Sequence, residues 1–301
     1  MKKIASQSFN SITSLLFRRN NAFLFLIRSS IYDFILNPVV CLNFTLQNVR
    51  FSYFCRLKTL MKTKDWFTDW FNTKYYHILY KERNDSEAQL FMKNITELLA
   101  LDTTSHILDL PCGKGRHAVF LNSLGYRVTG ADLSKNSIIA AKEYENNALT
   151  FEVHDMRVPF NTKYDAVFNL FTSFGYFEDD KEDLLILQNI KNGLTTNGYF
   201  VFDFLNAHLV KESLIAKETK VVDAITFNIK REISNGFIEK HISFFADGKN
   251  HAYIERVKYL DLPKMTSYLE KVGFKIEQTF GDYDLNNFDA KNSKRLIIVA
   301  K

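Results

Sequence analysis

The stretch HILDLPCGKGRHA, residues 106–118, constrains the fold of this 301-residue chain more than any other part of it. A short apolar run ends in the acid Asp109, and a turn containing Gly113 and Gly115 then leads into a helix. Glycine lets the backbone approach a ligand closely, and a helix N-terminus presents unpaired N–H groups. The stretch therefore predicts a nucleotide-type site at the end of a buried strand.

Short apolar runs alternate with helical patterns through the middle of the chain. Strands are predicted near 106–110, 126–131, 149–153, 164–170 and 199–204, with helices near 115–124, 134–146 and 179–193. Such alternation predicts a doubly wound, Rossmann-like α/β fold, in which ligands bind at the carboxyl ends of parallel strands.

Two helical segments are predicted before the first strand. Residues 65–80 place aromatic side chains at helical spacing, which favours one amphipathic helix. Ser86 and Gln89 form a capping-box signal at the start of a second helix.

The alternation of strand and helix patterns ends at Asn206. Strand-like runs joined by the turns Asn235-Gly236 and Asp247-Gly248 predict an antiparallel β-meander within residues 207–262. We expect this insertion to serve as a lid or a dimer surface. A helix near 264–272 and two final strands then complete a mostly parallel seven-stranded sheet.

The first 60 residues differ in composition from the rest. Residues 1–64 contain ten Lys or Arg and the single acid Asp33, whereas residues 65–301 contain 29 basic and 33 acidic residues. The body thus lacks the positive charge typical of nucleic-acid binding. Three interpretations of residues 1–60 are open: a transit peptide, a membrane span, and an upstream segment without its own fold. Because polar residues interrupt the apolar runs, we favour the third, with the functional domain at 61–301.

The three cysteines, Cys41, Cys55 and Cys112, have neither the spacing of a metal site nor an even number for disulfides. A reducing, cytoplasmic location and no metal are expected. Cys112 lies inside the glycine turn, where we expect it to pack under the loop rather than act as a nucleophile.

The identity of the ligand depends on charge. Gly113, Gly115 and Ala118 fit a dinucleotide motif, and Asp132 follows at a suitable distance to bind ribose hydroxyls. However, Asp109 would repel a pyrophosphate and attract a cationic ligand. The acid therefore favours a cationic ligand, although the glycine spacing alone leaves both choices open.

These residues resemble those of the class I S-adenosylmethionine-dependent methyltransferases. The resemblance covers residues 61 to about 205 well and the last 40 residues loosely. It implies that Asp109 supports the methionine moiety of the cofactor and that Gly113 and Gly115 pass close to it. Pro111 replaces the usual first glycine, as in a subset with a Pro-Cys-Gly turn, which is plausible because proline fixes φ without needing its N–H.

The resemblance also assigns the remaining cofactor contacts. It implies that Asp132, with Leu133 beside it, holds the ribose after the second strand, and that Asp155 and Met156 contact adenine after the third strand. It implies that Asn169, at the end of the fourth strand, borders the cofactor. It also implies that the segment with Tyr76, Tyr80 and Arg83 closes over the methionine end of the cofactor.

The end of the fourth strand, residues 169–177, is where the resemblance places the methyl acceptor. Tyr176 there and His117 near the glycine turn are the candidate catalytic residues. Asn169 is followed by Leu-Phe-Thr and not by the Pro-Pro-Tyr that is typical of enzymes acting on base or amide nitrogens. Nucleic-acid and protein-glutamine substrates are therefore disfavoured.

Taken together, the sequence predicts methyl transfer from S-adenosylmethionine to nitrogen or oxygen of a small molecule by in-line displacement. Positioning dominates such chemistry. The expected partner is this small molecule, with neither nucleic acid nor membrane bound by the body, and a homodimer is compatible with the meander. Two alternatives stay open at this point: an NAD(P)-dependent oxidoreductase, and a non-catalytic binding protein on a cofactor fold.

Overall fold

The computed structural model describes residues 66–81 and 85–301. The predicted extension at residues 1–60 and the candidate site residue Arg83 lie outside these ranges. The described part begins with α1 (Trp66–Phe71), α2 (Lys74–Leu79) and α3 (Asp85–Leu98). The predicted single helix over 65–80 is wrong, because the Thr73 Oγ1 accepts the Tyr76 N–H at 3.1 Å and starts a new helix. The predicted cap at Ser86 is also wrong, since α3 already begins at Asp85.

Strands and helices then alternate, as predicted. The elements are β1 (His106–Asp109), α4 (Arg116–Ser123), β2 (Arg127–Asp132), α5 (Lys135–Ala141) with a 3₁₀ turn (Lys142–Tyr144), β3 (Leu149–Val153), β4 (Tyr164–Asn169), α6 (Asp180–Gly193) and β5 (Leu194–Leu205). The chain continues through α7 (Ala207–Glu212), β6 (Lys217–Val222), β7 (Ile225–Ser234), β8 (Phe237–Ala246), β9 (Lys249–Lys258), α8 (Leu262–Lys271), β10 (Ile276–Phe280) and β11 (Arg295–Ala300).

The central sheet has seven strands in the order β10-β11-β5-β4-β1-β2-β3. Strands β1 to β5 pair in parallel, while β11 pairs antiparallel with β5 and with β10. The prediction of a Rossmann-like, mostly parallel sheet is confirmed. Chain order reverses beside β1 and β4, and this is the position at which such sheets bind ligands.

Both faces of the central sheet are buried, because neighbouring side chains along a strand point to opposite faces. In β1, Ile107 packs into a cluster that includes Ile95 of α3, whereas Leu108 packs into one that includes Ile186 of α6. The strands are therefore almost continuously apolar, as expected for parallel strands covered by helices on both sides.

The predicted meander forms a separate four-stranded antiparallel sheet, β6-β7-β8-β9. Its β7–β8 and β8–β9 turns contain Asn235-Gly236 and Asp247-Gly248, all four with positive φ, as predicted from the sequence. The inner face of the sheet packs on the first helices, where Phe227 and Phe244 lie in one buried cluster with Trp70 and Leu79. This contact places the meander beside the helices that precede the glycine turn.

In the described part of the chain, none of the helices is long and apolar enough to cross a membrane.

Candidate active site

A cavity of about 350 Å³ opens at the carboxyl ends of β1 to β4, where the fold leads one to expect a ligand. The predicted site residues in its wall come from the glycine turn, from the ends of β2 and β3, from α2 and its C-terminal cap, and from the loop after β4. They are Pro111, Gly113, His117, Asp132, Leu133, Asp155, Met156, Tyr76, Tyr80 and Tyr176. Asp109, Gly115 and Asn169 lie outside this wall.

The two glycines of the turn have different roles. Gly113 has a φ of +56° and lies in the cavity wall, where an added Cβ would meet no atom within 4 Å. Gly115 has a φ of +85°, and a Cβ there would lie 2.7 Å from the Phe151 ring. Gly115 is therefore required by backbone conformation and packing at the start of α4, whereas Gly113 leaves open space toward the cavity.

Asp132 holds the glycine turn and faces the cavity at the same time. Its Oδ2 accepts the Gly113 N–H at 2.8 Å, and its Oδ1 accepts the Ser134 N–H at 2.7 Å. Burial raises the pKa of the Asp132 carboxyl group, although both backbone donors oppose the rise. A carboxylate has about four acceptor positions, so capacity remains for two ligand hydroxyls.

Asp109 ends β1 and is almost fully buried behind the cavity wall. No described side chain donates a hydrogen bond to either of its oxygens. Burial raises the pKa of Asp109 to about 8, and the Asp132 charge adds to the rise, while the Ala118 backbone N–H and Arg116 oppose it. Buried carboxyl groups in proteins usually have side-chain partners, so one without such a partner indicates a site that a ligand completes.

The acid after β3 is held by an arginine. The Nη2 of Arg157 lies 2.6 Å from Oδ2 of Asp155, and the Arg157 backbone N–H binds Oδ1 at 2.9 Å. Although burial opposes ionisation, these bonds lower the pKa of Asp155. Met156 follows in the cavity wall and also packs against the apolar core. The pair offers one charged and one apolar surface to a flat ligand group.

Aromatic rings form the wall opposite the glycine turn. Tyr176 stacks on Phe67 with ring centroids 5.5 Å apart and meets Phe71 at 5.9 Å, while Phe71 packs edge-on against Tyr76 at 4.9 Å. Phe67 and Phe71 were not predicted as site residues. Their helical spacing indicated an amphipathic helix but not that its apolar face borders a cavity.

Tyr176 is partly buried within this wall. Its hydroxyl is 3.4 Å from the carbonyl of Thr172, and burial raises the pKa of the phenol, which keeps it protonated. The ring therefore contributes a π face and a neutral hydroxyl. Such faces attract cations.

The loop after β4 carries Phe171, whose ring packs against His117. Phe171 stacks on His117 with centroids 5.1 Å apart, and the Arg116 guanidinium lies 4.8 Å from the Phe171 ring. Phe171 and Thr172 have φ values of 57° and 65°, a strained conformation for side chains other than glycine. Asp203 holds this turn by accepting the Phe171 N–H at 2.9 Å.

Asn169 supports the same loop from below. Its Nδ2 donates to the carbonyls of Leu110 at 2.9 Å and Ser173 at 3.2 Å, and the side chain is fully buried. These bonds join the end of β1 to the loop after β4. Asn169 thus shapes the floor of the cavity.

Two further predictions concern the thiol of Cys112, which lies in the cavity wall, and metal binding. Cys112 is buried, forms no disulfide, and has a raised pKa because of burial, so its predicted packing role is supported. Possible metal-ligand atoms of Glu232, Glu239 and His241 lie within 4.8 Å of one another on the meander. Because Lys230 pairs with Glu232 and Arg256 with Glu239, these carboxylates are already neutralised.

The chain has relatives among known proteins. Residues 107–198 match the family model described as a methyltransferase domain. A protein of Geobacillus sp. strain WCH70, which carries a provisional methyltransferase name, is 24% identical over 241 residues, covering 75% of this chain and 96% of the relative.

Two solved structures share the fold. An S-adenosylmethionine-dependent methyltransferase from Clostridium acetobutylicum has a TM-score of 0.65 at 19% identity, covering 75% of this chain and 95% of its own. The S-adenosylmethionine-bound amino pentose methyltransferase CalS10 from Micromonospora echinaspora has a TM-score of 0.58 at 16% identity, covering 76% and 96%. The oxidoreductase alternative is not favoured by these findings.

Proposed function

We propose that this chain, a class I S-adenosylmethionine-dependent methyltransferase, transfers the methyl group to a nitrogen or oxygen atom of a small molecule bound beside the aromatic wall. The observation that carries the proposal is the buried carboxyl group of Asp109, to which no described side chain donates a hydrogen bond. A cation in the cavity would favour the ionised form of this group, whereas a pyrophosphate would oppose it.

The residues present fit the cofactor. We propose that Asp132 binds the ribose hydroxyls and that Leu133, Asp155 and Met156 surround the adenine. Asp109 then favours the cationic methionine end through its charge. When bound, S-adenosylmethionine supplies a methyl carbon activated by a positively charged sulfur.

The protein's own contribution is positioning and exclusion of water. The open space at Gly113 admits the ligand, and the rings of Tyr76, Tyr80 and Tyr176 cover the side away from the turn. In-line displacement requires the acceptor atom and the methyl carbon to be held in contact, which a shaped and largely apolar wall can do. Because its phenol stays protonated, we assign Tyr176 to positioning rather than to proton removal.

The remaining assignments belong to the same proposal. His117 lies in the cavity wall, stacked on Phe171, and stays a candidate for contact with the reacting groups. The buried thiol of Cys112 suits the reducing cytoplasm. The domain begins near residue 61. The excess of acidic over basic residues in 65–301 disfavours nucleic acid as a substrate. The meander serves as a lid or as a homodimer surface.

Calorimetry of the full chain with S-adenosylhomocysteine and, separately, with NADH tests the cofactor. We expect S-adenosylhomocysteine alone to bind, and binding of NADH alone would contradict the proposal. Transfer of label from methyl-labelled S-adenosylmethionine into a deproteinised cell extract then tests catalysis. Label in a compound of low molecular mass supports a small-molecule acceptor, while label only in added RNA or protein contradicts it.

A further inference from the structure

A second cavity, also of about 350 Å³, lies between the meander and the end of β5. Leu205, Val210 and Leu214 form its apolar side. Its other side is formed by charged residues of the meander. The second cavity shares no lining residue with the first.

The strand register explains the charged side. Arg231 of β7 pairs with Lys240 of β8, and Lys240 pairs with Glu255 of β9, so the three side chains lie in a row on one face. Glu218 of β6 extends the row, because its Oε2 lies 2.5 Å from the Arg231 Nη2. The row carries two positive and two negative charges.

Tyr80 and Glu255 form the partition between the two cavities. Tyr80 lines the first cavity, and its hydroxyl donates to Glu255 at 2.6 Å, while Glu255 and Lys240 line the second. The Lys240 Nζ lies 4.6 Å from the Tyr80 ring centroid and 3.5 Å from Oε2 of Glu255. The Trp70 Nε1–H donates to Oε1 of Glu255 at 2.7 Å from the other side.

We propose that the second cavity is the acceptor subsite, that it takes a small polar molecule carrying a primary or secondary amine, and that Glu255 removes the proton from this amine. The inference rests on the proposed function, since it names the acceptor class of that reaction. The body of the acceptor lies against Leu205, Val210 and Leu214, and its ammonium group replaces the Tyr80 hydroxyl on Glu255.

The Glu255 carboxylate in the partition favours a nitrogen atom over an oxygen atom as the methyl acceptor. A carboxylate can take a proton from an ammonium group of pKa roughly 8 to 10 far more readily than from an alcohol near 16. The rings of Tyr76, Tyr80 and Tyr176 also attract the positive charge of an ammonium group. An anionic acceptor would meet the Glu255 carboxylate directly, whereas an ammonium can donate to it in place of the Tyr80 hydroxyl.

The step balances without a further reactant. The ammonium gives one proton to the Glu255 carboxylate, and the freed nitrogen lone pair forms a bond to the methyl carbon. The carbon–sulfur bond breaks with its electron pair going to sulfur, so that S-adenosylhomocysteine and a methylated ammonium are formed. The proton on Glu255 then leaves to solvent.

The acceptor class is tested with the full chain, labelled S-adenosylmethionine and a deproteinised extract. One half of the extract has its amines acetylated beforehand. We expect acetylation to abolish labelling, whereas undiminished labelling would overturn the amine assignment and leave the proposed function intact. If S-adenosylhomocysteine failed to bind at all, the proposed function itself would fail.

The subsite is tested with Leu214→Trp, which fills the second cavity. The matched control is Val221→Trp, because Val221 is exposed on the same meander and lines neither cavity. We expect Leu214→Trp to raise the extract concentration for half-maximal rate at least tenfold while S-adenosylhomocysteine affinity stays within twofold. Equal behaviour of both variants in the transfer assay would overturn the subsite.

Glu255→Gln tests the proton step. We expect the transfer rate at pH 7 to fall on the order of 100-fold, and the deficit to shrink as pH rises toward the pKa of the amine, because a neutral amine needs no base. The groups that face Glu255 are Trp70 of α1, Tyr80, Lys240 of β8 and, along the row, Arg231 and Glu218. A deficit that is independent of pH would overturn the role of Glu255 as the base.

Discussion

Oδ2 of Asp132 accepts the backbone N–H of Gly113 at 2.8 Å, across 19 residues of sequence. The bond fixes the glycine turn to the end of β2 and leaves the carboxylate facing the cavity. One side chain therefore orders the turn and presents acceptors to the ligand. Replacing the carboxylate with an amide removes the charge and leaves one of the two backbone N–H groups without its acceptor.

Asp132→Asn should weaken S-adenosylhomocysteine binding roughly 10- to 100-fold, because hydrogen bonds to a charged group contribute about 1.5 to 3 kcal/mol. Calorimetry measures the change. Ser134→Ala is the matched control, since Ser134 caps α5 next to the site and its loss should cost about 1 kcal/mol of stability with little change in affinity. An Asp132→Asn variant of unchanged affinity would remove Asp132 from the ribose site.

Binding of S-adenosylmethionine should release a proton from Asp109. In the unliganded protein its pKa is about 8, against an ordinary value of 3.8, so the carboxyl group is mostly protonated at pH 7. A cationic ligand favours the ionised form, and the affinity should therefore rise between pH 6 and 8. Calorimetry at pH 7 in two buffers of different ionisation enthalpy measures the release, which we expect to approach one proton.

Asp109→Asn provides the control for this proton release, since it keeps the shape of the side chain but cannot ionise. Proton release of equal size in both proteins would contradict the role of Asp109.

The raised pKa of Asp109 also affects the stability of the protein without ligand. Because the folded protein retains a proton that the unfolded chain loses above pH 3.8, this group makes folding less favourable as pH rises from about 4 to 8.

Tyr176→Phe should leave kcat/KM within roughly threefold, because a hydroxyl contact of 3.4 Å is at the limit of hydrogen bonding. Tyr176→Leu should weaken S-adenosylmethionine binding roughly tenfold but S-adenosylhomocysteine much less, since only the former carries a cationic sulfur that a π face attracts. The ratio of the two dissociation constants is the measurement. Tyr144→Leu, at an exposed position, should leave this ratio unchanged.

Most of the fold could be predicted because each element carried its own local signal. Strands β1 to β4 read as short apolar runs, and the turns at Asn235-Gly236 and Asp247-Gly248 used the residues that such turns favour. Strand β6 was not predicted, because its turn to β7 is Asp223-Ala224, which has positive φ at both positions without a glycine. A turn of this kind has a weak sequence signal.

The candidate site was less accessible to sequence reasoning. Asp132 and Asp155 follow strands and could be placed by position alone. Glu255, in contrast, lies 175 residues from Tyr80 and meets it only because the meander folds back onto α1 and α2. The strained turn at Phe171 and Thr172 depends on Asp203, another contact distant in sequence. Long-range contacts of this kind have no local pattern.

Asp203→Asn should destabilise the fold by roughly 3 kcal/mol, because it leaves the Arg295 guanidinium without its carboxylate in a largely buried position. The Arg295 Nε lies 2.7 Å from the Asp203 Oδ1, and the Tyr283 hydroxyl is 3.2 Å from Oδ2. Urea unfolding measures the change. Glu277→Gln, which removes an exposed ion pair with Lys275, should change stability by less than about 0.5 kcal/mol.

Ala224→Gly should stabilise the protein by roughly 0.5 to 1 kcal/mol. Ala224 has a φ of 62°, where an L side chain is strained by about 1 to 2 kcal/mol, and glycine relieves this strain at some cost in chain entropy. Ala246→Gly is the matched control, because Ala246 ends β8 in ordinary strand conformation and should lose about 1 kcal/mol. Thermal unfolding of both variants decides the point: a lower midpoint for Ala224→Gly would show that the β6–β7 turn is not strained.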